Sequence, residues 1–272
     1  MVNDLAGKNV VIAGATQGLG ETTARLLASR GASGLVLAGR SRELGEALAA
    51  ELTADGCRSV YVQADVELPE DCARIVATAD SEFGVVHGLV CVAATTTRGD
   101  IWTTPVELWD SHMAINVRAP FLLVQGVGNI MVREGVPGSM VLIGSVSGYG
   151  GQHFLTAYCV SKGALAVLTK NAAYSMLRNR IRVNQLNLGW MDTPSEHAIQ
   201  KRFHDAPDDW LVAAEAGQPL GRLVQPDEAA HTIAFLLSDE SGLMTGAIID
   251  FDQSVQGAGD APKPPAELFR QA

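Results

Sequence analysis

The chain predicts an α/β fold: one doubly wound domain whose mostly parallel sheet of seven strands carries helices on both faces. Three observations lead there. Short β-branched apolar runs alternate with helical patterns from residue 8 to residue 251, the signature of βαβ units with right-handed crossovers. A glycine cluster separates the first strand from the first helix. No linker or internal repeat interrupts the alternation, and 272 residues can bury one sizeable core.

The elements follow in order. Lys8–Ala13 is a strand, and the turn Gly14-Ala15-Thr16-Gln17-Gly18-Leu19-Gly20 leads into a helical pattern ending at Arg30. Leu35–Ala38 is the second strand. Ser41 caps a helix that carries Leu44, Ala47, Leu48 and Leu52 at helical spacing. Ser59–Ala64, Gly88–Val92, Ser139–Ile143, Arg182–Leu186 and Ala247–Phe251 are the remaining strands. Helices are expected at Pro69–Phe83, at Pro105–Glu134 as one long element, at Thr156–Leu177 and at Asp227–Leu237. Pro194–Gly217 is more polar, carries His204 and Trp210, and reads as a helical insertion or substrate lid. From Gly257 the chain is rich in Gly and Pro and reads as an extended tail to residue 272.

Composition excludes several classes. A net charge of -10 argues against a nucleic-acid partner, which requires a basic stripe to neutralise phosphates. The first apolar run, Val10–Ala13, is too short for a signal peptide or a span, so no membrane partner is expected. Cys57, Cys72, Cys91 and Cys159 show no metal-ligand or CxxC spacing; they read as reduced, mostly buried thiols of a cytoplasmic protein, with no metal.

The chemistry centres on Tyr158 and Lys162, four residues apart and therefore one helical turn apart on the same face. A phenol titrates near 10 and is protonated at neutral pH, and a neighbouring ammonium favours its ionised form. The pair can therefore exchange a proton with a substrate oxygen. In the turn after the first strand, Gly14, Gly18 and Gly20 let the backbone approach a pyrophosphate at the helix N-terminus, with Gln17 and Leu19 between them. At the end of the second strand stand Arg40, Ser41 and Arg42 with no acid, which favours the 2′-phosphate of NADP(H) over NAD(H), although NAD(H) stays open. Asp65 closes the third strand, within reach of an adenine amino group or simply as a helix-initiating acid.

Together these residues resemble the short-chain dehydrogenase/reductase family over about Lys8–Phe251. Tyr158 and Lys162 match its YxxxK, and Ser145 matches its serine, thirteen residues before the tyrosine. The glycine turn matches too, with Ala13 where threonine is usual. Asn116 falls where the family has an asparagine that helps position the lysine through water, and Asp65-Val66 resembles its adenine-binding pair. Two departures stand out. Cys91-Val92-Ala93-Ala94 replaces Asn-Asn-Ala-Gly, and Leu188-Gly189 replaces Pro-Gly, leaving Ala93, Gly189 and Thr193 as expected nicotinamide neighbours.

The resemblance implies a Rossmann-type dinucleotide fold and hydride transfer at a carbinol or carbonyl carbon. Tyr158 is then the acid–base, Lys162 its pKa-lowering and ribose-binding partner, Ser145 the oxygen-binding group and Asn116 the support of a water chain. His153 and Trp190 are expected to line the substrate pocket. No strong basic cluster marks Pro194–Gly217, which favours a small neutral alcohol, ketone or polyol. Rival readings are an NAD(H)-dependent relative, an epimerase or dehydratase, or a catalytically silent dinucleotide-binding sensor. Small residues on Thr156–Leu177 and an edge strand at Ala247–Phe251 point to a homotetramer or dimer, as the family does.

Overall fold

The computed structural model describes residues 4–258, so the expected tail lies, from residue 259 on, outside the described residues. Strands β1 (Asn9–Ala13), β2 (Gly34–Gly39), β3 (Arg58–Gln63), β4 (Gly88–Cys91), β5 (Gly138–Ser145), β6 (Ile181–Leu188) and β7 (Ile248–Phe251) alternate with helices. The helices are α1 (Gly18–Ser29), α2 (Arg42–Ala54), α3 (Pro69–Phe83), α4 (Val106–Met113), α5 (Ala119–Glu134), α6 (Thr156–Met176), α7 (Pro194–His204), α8 (Trp210–Ala216) and α9 (Pro226–Leu237). The strands form one sheet in the order β3-β2-β1-β4-β5-β6-β7, and all pairings are parallel.

Strands buried on both faces need no polar alternation, which explains runs such as Val10-Val11-Ile12. The pleat sends alternate residues to opposite sides. Val11, Val36 and Leu89 join Ile75 of α3, Leu123 and Val127 of α5 and Leu165 of α6 in one core. Val10, Ile12, Leu35 and Leu37 join Leu27 of α1, Leu52 of α2 and Ile233 of α9 in the other. After β1 the chain builds outward to β2 and β3, then crosses back to place β4 on the other side of β1. A crevice opens at such a switch point, above the carboxyl ends of β1 and β4.

Most strand bounds lie within one or two residues of the sequence reading, with two informative extensions. β5 runs on to Ser145 and β6 to Leu188, with Ser145 opposite Leu188 in the ladder. The apolar pattern stopped short because Gly144, Ser145 and Asn187 are small or polar, yet ladder pairing continues through them. Ser41 occupies the N-cap of α2 but makes no side-chain cap bond.

The long helix expected at Pro105–Glu134 exists with a change of winding: a π turn at Ala114–Arg118 joins α4 to α5. Pro120 explains it, since it lacks the N–H that the Asn116 carbonyl would accept in a regular α-helix. By length and composition Val106–Glu134 could cross a membrane, but half of its apolar window is buried in the protein. Its buried residues Leu123, Val127 and Met131 belong to the sheet core.

The glycine turn is fixed by close backbone contacts. A Cβ on Gly20 would lie 1.8 Å from the Gly14 carbonyl oxygen, so α1 can seat on β1 only without one. Gly20→Ala is therefore expected to lower stability by about 1–3 kcal/mol through forced backbone displacement. Gly217→Ala, whose nearest neighbour would be at an ordinary 3.5 Å, should change it by less than about 0.5 kcal/mol. Urea unfolding of the two variants and the wild type measures the contrast.

Candidate active site

The N-terminal half of α6 carries Tyr158 and Lys162 against the carboxyl end of β5. Lys162 is 3% exposed and donates from Nζ to the Ile143 carbonyl at 2.7 Å. The same ammonium lies 5.7 Å from the centroid of the Tyr158 ring. Burial disfavours both charged forms: it pushes Lys162 down to about 8 and Tyr158 up to about 12. A hydrogen bond with Ser145 pulls the phenol the other way but does not prevail. For the protein as it stands the Tyr158 phenol therefore lies above its ordinary value, desolvation outweighing the Ser145 hydrogen bond and the Arg98 charge.

Ser145 ends β5, is nearly buried, and its Oγ also accepts from the Ser147 backbone N–H at 3.1 Å. Ser145 thus caps the turn that follows β5 while also hydrogen-bonding the Tyr158 phenol. Ser147 donates to Gln152 Oε1 at 2.7 Å and helps close the turn.

The π turn aims Asn116 at the loop after β4. Its Oδ1 accepts from the Thr95 N–H at 2.9 Å, and its Nδ2 donates to the Thr95 carbonyl at 3.0 Å and to Ser161 Oγ at 2.9 Å. Ser161 in turn donates to the Tyr158 carbonyl at 2.7 Å. Asn116 therefore braces the segment following Cys91-Val92-Ala93-Ala94, and its direct links run to Thr95 and Ser161, reaching the Tyr158 carbonyl only through Ser161.

The glycine turn faces α7 across the crevice. Gly14 and Gly18 have φ of +92° and +53°, and a Cβ on Gly14 would lie 2.5 Å from the Ala93 backbone nitrogen. Gln17, at the N-cap of α1, makes no cap bond; its Nε2 donates instead to Ser195 Oγ at 2.7 Å. Thr193 caps α7 by accepting from the Glu196 N–H at 3.1 Å and stands beside Gly18. Two helix N-termini thus flank one crevice whose floor has no room for a Cβ, a cradle that fits a pyrophosphate. Leu19 is buried in the core, so only its backbone faces that cradle.

Around it stand the other expected contacts. The Arg40 guanidinium is exposed and makes no hydrogen bond or ion pair among the described residues, whereas Arg42 is held by Gln63 and Glu46. Ser41 sits beside Arg40. Asp65 accepts from the Glu67 N–H at 3.1 Å, and Val66 is buried. Gly189 is required by its neighbour, since a Cβ there would strike Asp252 Oδ1 at 1.9 Å.

The two residues expected to line the substrate pocket lie near the surface. His153 is exposed and packs edge-on against Phe154. Trp190, 37% exposed, donates to Glu196 Oε1 at 2.8 Å and stacks on Trp210 at 5.7 Å. Trp210 is buried and donates to His197 Nδ1 at 3.1 Å, so it packs α7 onto α8.

Three further residues enter the site without a sequence signal of their own. His112 is fully buried one turn before Asn116, donates from Nδ1 to the Leu108 carbonyl at 2.8 Å, and lies edge-on to Tyr158 at 6.5 Å. Arg98 and Glu196, from separate segments, lie near enough for their charges to act on Tyr158.

Comparison with known proteins places the chain among relatives of the same fold. A family model described as enoyl-(acyl carrier protein) reductase matches residues 14–255. The cis-4-hydroxycyclohexanecarboxylate dehydrogenase of Sinomonas cyclohexanicum is 33% identical over 248 residues, covering 91% of this chain and 96% of the relative. The L-rhamnose 1-dehydrogenase (NAD(P)(+)) of a Sphingomonas species is 30% identical with the same coverage, 91% and 96%. A short-chain type dehydrogenase/reductase structure from Mycobacterium marinum superposes with a TM-score of 0.84 at 28% identity, over 93% of this chain and 96% of that one. The chain belongs to the short-chain dehydrogenase/reductase family of NAD(P)-dependent oxidoreductases.

The buried lysine has a measurable consequence. Unfolded, its amine titrates at 10.5; folded, at about 8, so the unfolded chain binds more protons between those values. Its contribution to stability therefore rises with pH through that window and is lost as pH falls through 8. Lys162→Met removes this dependence. Relative to the variant, the wild type should gain up to about 3 kcal/mol between pH 8 and pH 10.5, read by urea unfolding across that range.

Proposed function

We propose that the protein is an NADP(H)-dependent oxidoreductase that interconverts a small secondary alcohol or polyol with its ketone. The observation that carries this reading is the meeting of Ser145, Tyr158 and Lys162 at the crevice above β1 and β4, facing a Cβ-free cradle between two helix N-termini. The relatives named above act, by name, on a hydroxycyclohexane and on a sugar, both ring-borne hydroxyl substrates. A ring secondary alcohol is accordingly the preferred substrate.

When bound, the nicotinamide accepts or supplies the hydride. Gly14, Gln17, Gly18, the Leu19 backbone and Gly20 would hold the pyrophosphate. Arg40 and Ser41 would hold the 2′-phosphate, Asp65 and Val66 the adenine, and Ala93, Gly189 and Thr193 the nicotinamide end. Tyr158 is the proton donor at the substrate oxygen. With its pKa pushed up to about 12 it is protonated at neutral pH, the state that protonates a carbonyl oxygen during reduction. In oxidation the same oxygen takes the proton back.

Ser145 Oγ holds the substrate oxygen where charge develops. Lys162 spends one hydrogen on Ile143 and keeps the others for the ribose and for the ionised phenol. Asn116 is a positioning residue that fixes Thr95 and, through Ser161, the first turn of α6. Pro194–Gly217 acts as the lid, with Trp190 at its edge; His153 belongs to the rim.

We also propose a homotetramer. Val160, Val167 and Tyr174 of α6 and Phe121 and Val132 of α5 are exposed in the protomer, and β7 is an edge strand. A second copy is the cover these surfaces favour. The four free, buried cysteines fit a reducing, cytoplasmic setting.

Tyr158→Phe removes only the phenolic oxygen. Turnover on a verified substrate should fall by about 100- to 10,000-fold while cofactor affinity stays within a few-fold, measured by steady-state kinetics and cofactor titration. Retention of half the activity would remove Tyr158 from the chemistry.

Arg40→Ala should weaken NADP(H) by roughly 10- to 100-fold and leave NAD(H) nearly unchanged, as befits charge-assisted bonds to a 2′-phosphate. Fluorescence titration of both reduced cofactors distinguishes this from equal losses, which would return Arg40 to the solvated surface.

A further inference from the structure

Arg98 lies on the loop between β4 and α4, half-buried beside the reacting centre. Its Nε donates to His204 Nε2 at 3.3 Å and its Nη1 to the Thr96 carbonyl at 3.0 Å. Its guanidinium carbon sits 5.5 Å from the Phe154 ring centroid and 6.0 Å from that of Phe203. Elsewhere in the chain Arg30, Arg74 and Arg222 meet a carboxylate at 2.9, 2.6 and 2.7 Å. Arg98 meets none within ion-pair distance among the described residues, and Nη2 is uncommitted.

A desolvated cation with no anionic partner is costly, and burial accordingly pushes the Arg98 guanidinium below its ordinary range. Cations in that position earn their place when a ligand brings the counter-charge. The surroundings fix where such a ligand would lie. Arg98 and Tyr158 are close enough for their charges to act on one another. Phe154 and Phe203 give the guanidinium apolar walls that exclude water and strengthen its pull on an anion. The acidic neighbour is Glu196, whose Oε1 is engaged by Trp190 Nε1 at 2.8 Å and Gln200 Nε2 at 2.6 Å. It weakens the attraction for any free anion, so an anion gains only by direct contact with Arg98.

We infer that Arg98 anchors a carboxylate on the substrate, so that the enzyme acts on alcohols and ketones bearing a carboxylate away from the reacting carbon. The inference rests on the proposed oxidoreductase reading and sharpens its substrate from a neutral alcohol to a hydroxy or oxo acid. In the oxidative direction the carbinol would give its hydride to a bound nicotinamide and its hydroxyl proton to the phenolate form of Tyr158, becoming a ketone. The carboxylate is unchanged and serves only to orient. In sequence Arg98 stands apart from Pro194–Gly217, and only α7 brings Phe203 and His204 to it.

The test compares 4-hydroxycyclohexanecarboxylate with its methyl ester as substrates for wild type, Arg98→Gln and Arg98→Lys. Wild type should prefer the acid by about 10-fold or more in kcat/KM. Arg98→Gln should lose about 10- to 100-fold on the acid, chiefly in KM, and at least about 10-fold less on the ester, so that the preference for the acid disappears, and Arg98→Lys should recover part of the loss. Equal losses on acid and ester, or a wild type that prefers the ester, would overturn the inference and leave Arg98 as a brace between the loop and α7. A second measurement needs no turnover: calorimetric titration of the unreactive cyclohexanecarboxylate into the protein saturated with NADP(H). Weaker binding by at least 10-fold in Arg98→Gln supports the anchor even if neither alcohol is oxidised, a result that would count against the oxidoreductase reading alone. Equal binding to wild type and Arg98→Gln overturns the anchor.

Discussion

Two stretches of backbone converge on Gly14, and the rest of the crevice depends on that approach. The first turn of α1 rests on its carbonyl through Gly20, and the loop after β4 presses on its Cα through Ala93. Neither contact leaves room for a side chain. This closeness sets the depth of the cleft at the switch point and fixes how the β4 loop leaves the sheet. That loop then carries Thr95, which Asn116 holds by both its N–H and its carbonyl. From Asn116 the same network reaches Ser161 and the first turn of α6. The positions of Tyr158 and Lys162 are therefore tied to the glycine turn by a continuous chain of short contacts.

The site is held at a cost. An ammonium and a phenol are buried together, and both are driven toward their neutral forms. A core would be more stable with apolar residues of equal volume at these places. Lys162 offsets part of the cost through the Ile143 carbonyl, which β5 can offer because it runs past the end of β4 in the ladder. The extension of β5 to Ser145 thus serves two groups: it supplies the carbonyl and delivers the serine hydroxyl.

The π turn shows how one residue type reshapes a functional region. Pro120 removes a helical donor, the helix widens by one residue per turn, and Asn116 projects from the widened stretch toward Thr95. The stretch Cys91-Val92-Ala93-Ala94 at the end of β4 carries no side-chain amide. In this protein the adjoining segment is braced from outside the sheet, by Asn116.

The sequence by itself determined what depends on spacing along one element. Alternating apolar runs defined seven parallel strands because strands buried on both faces must be continuously hydrophobic. Tyr158 and Lys162 could be paired because four residues make one helical turn, and the glycine turn was readable because its glycines lie within seven residues. Ser145 was legible only through its family spacing from Tyr158. Tertiary structure decided what depends on groups far apart in the chain. The balance between a lysine's charge and its desolvation cannot be read from spacing, since burial is set by β4, β5 and α6 together. Arg98 acquires meaning only when residues 154, 203 and 204 fold around it, and Asn116 only when the π turn aims it at residue 95. Local periodicity fixes which face a residue occupies; which charges and rings meet across faces is decided by packing, where the distances that govern electrostatics are set.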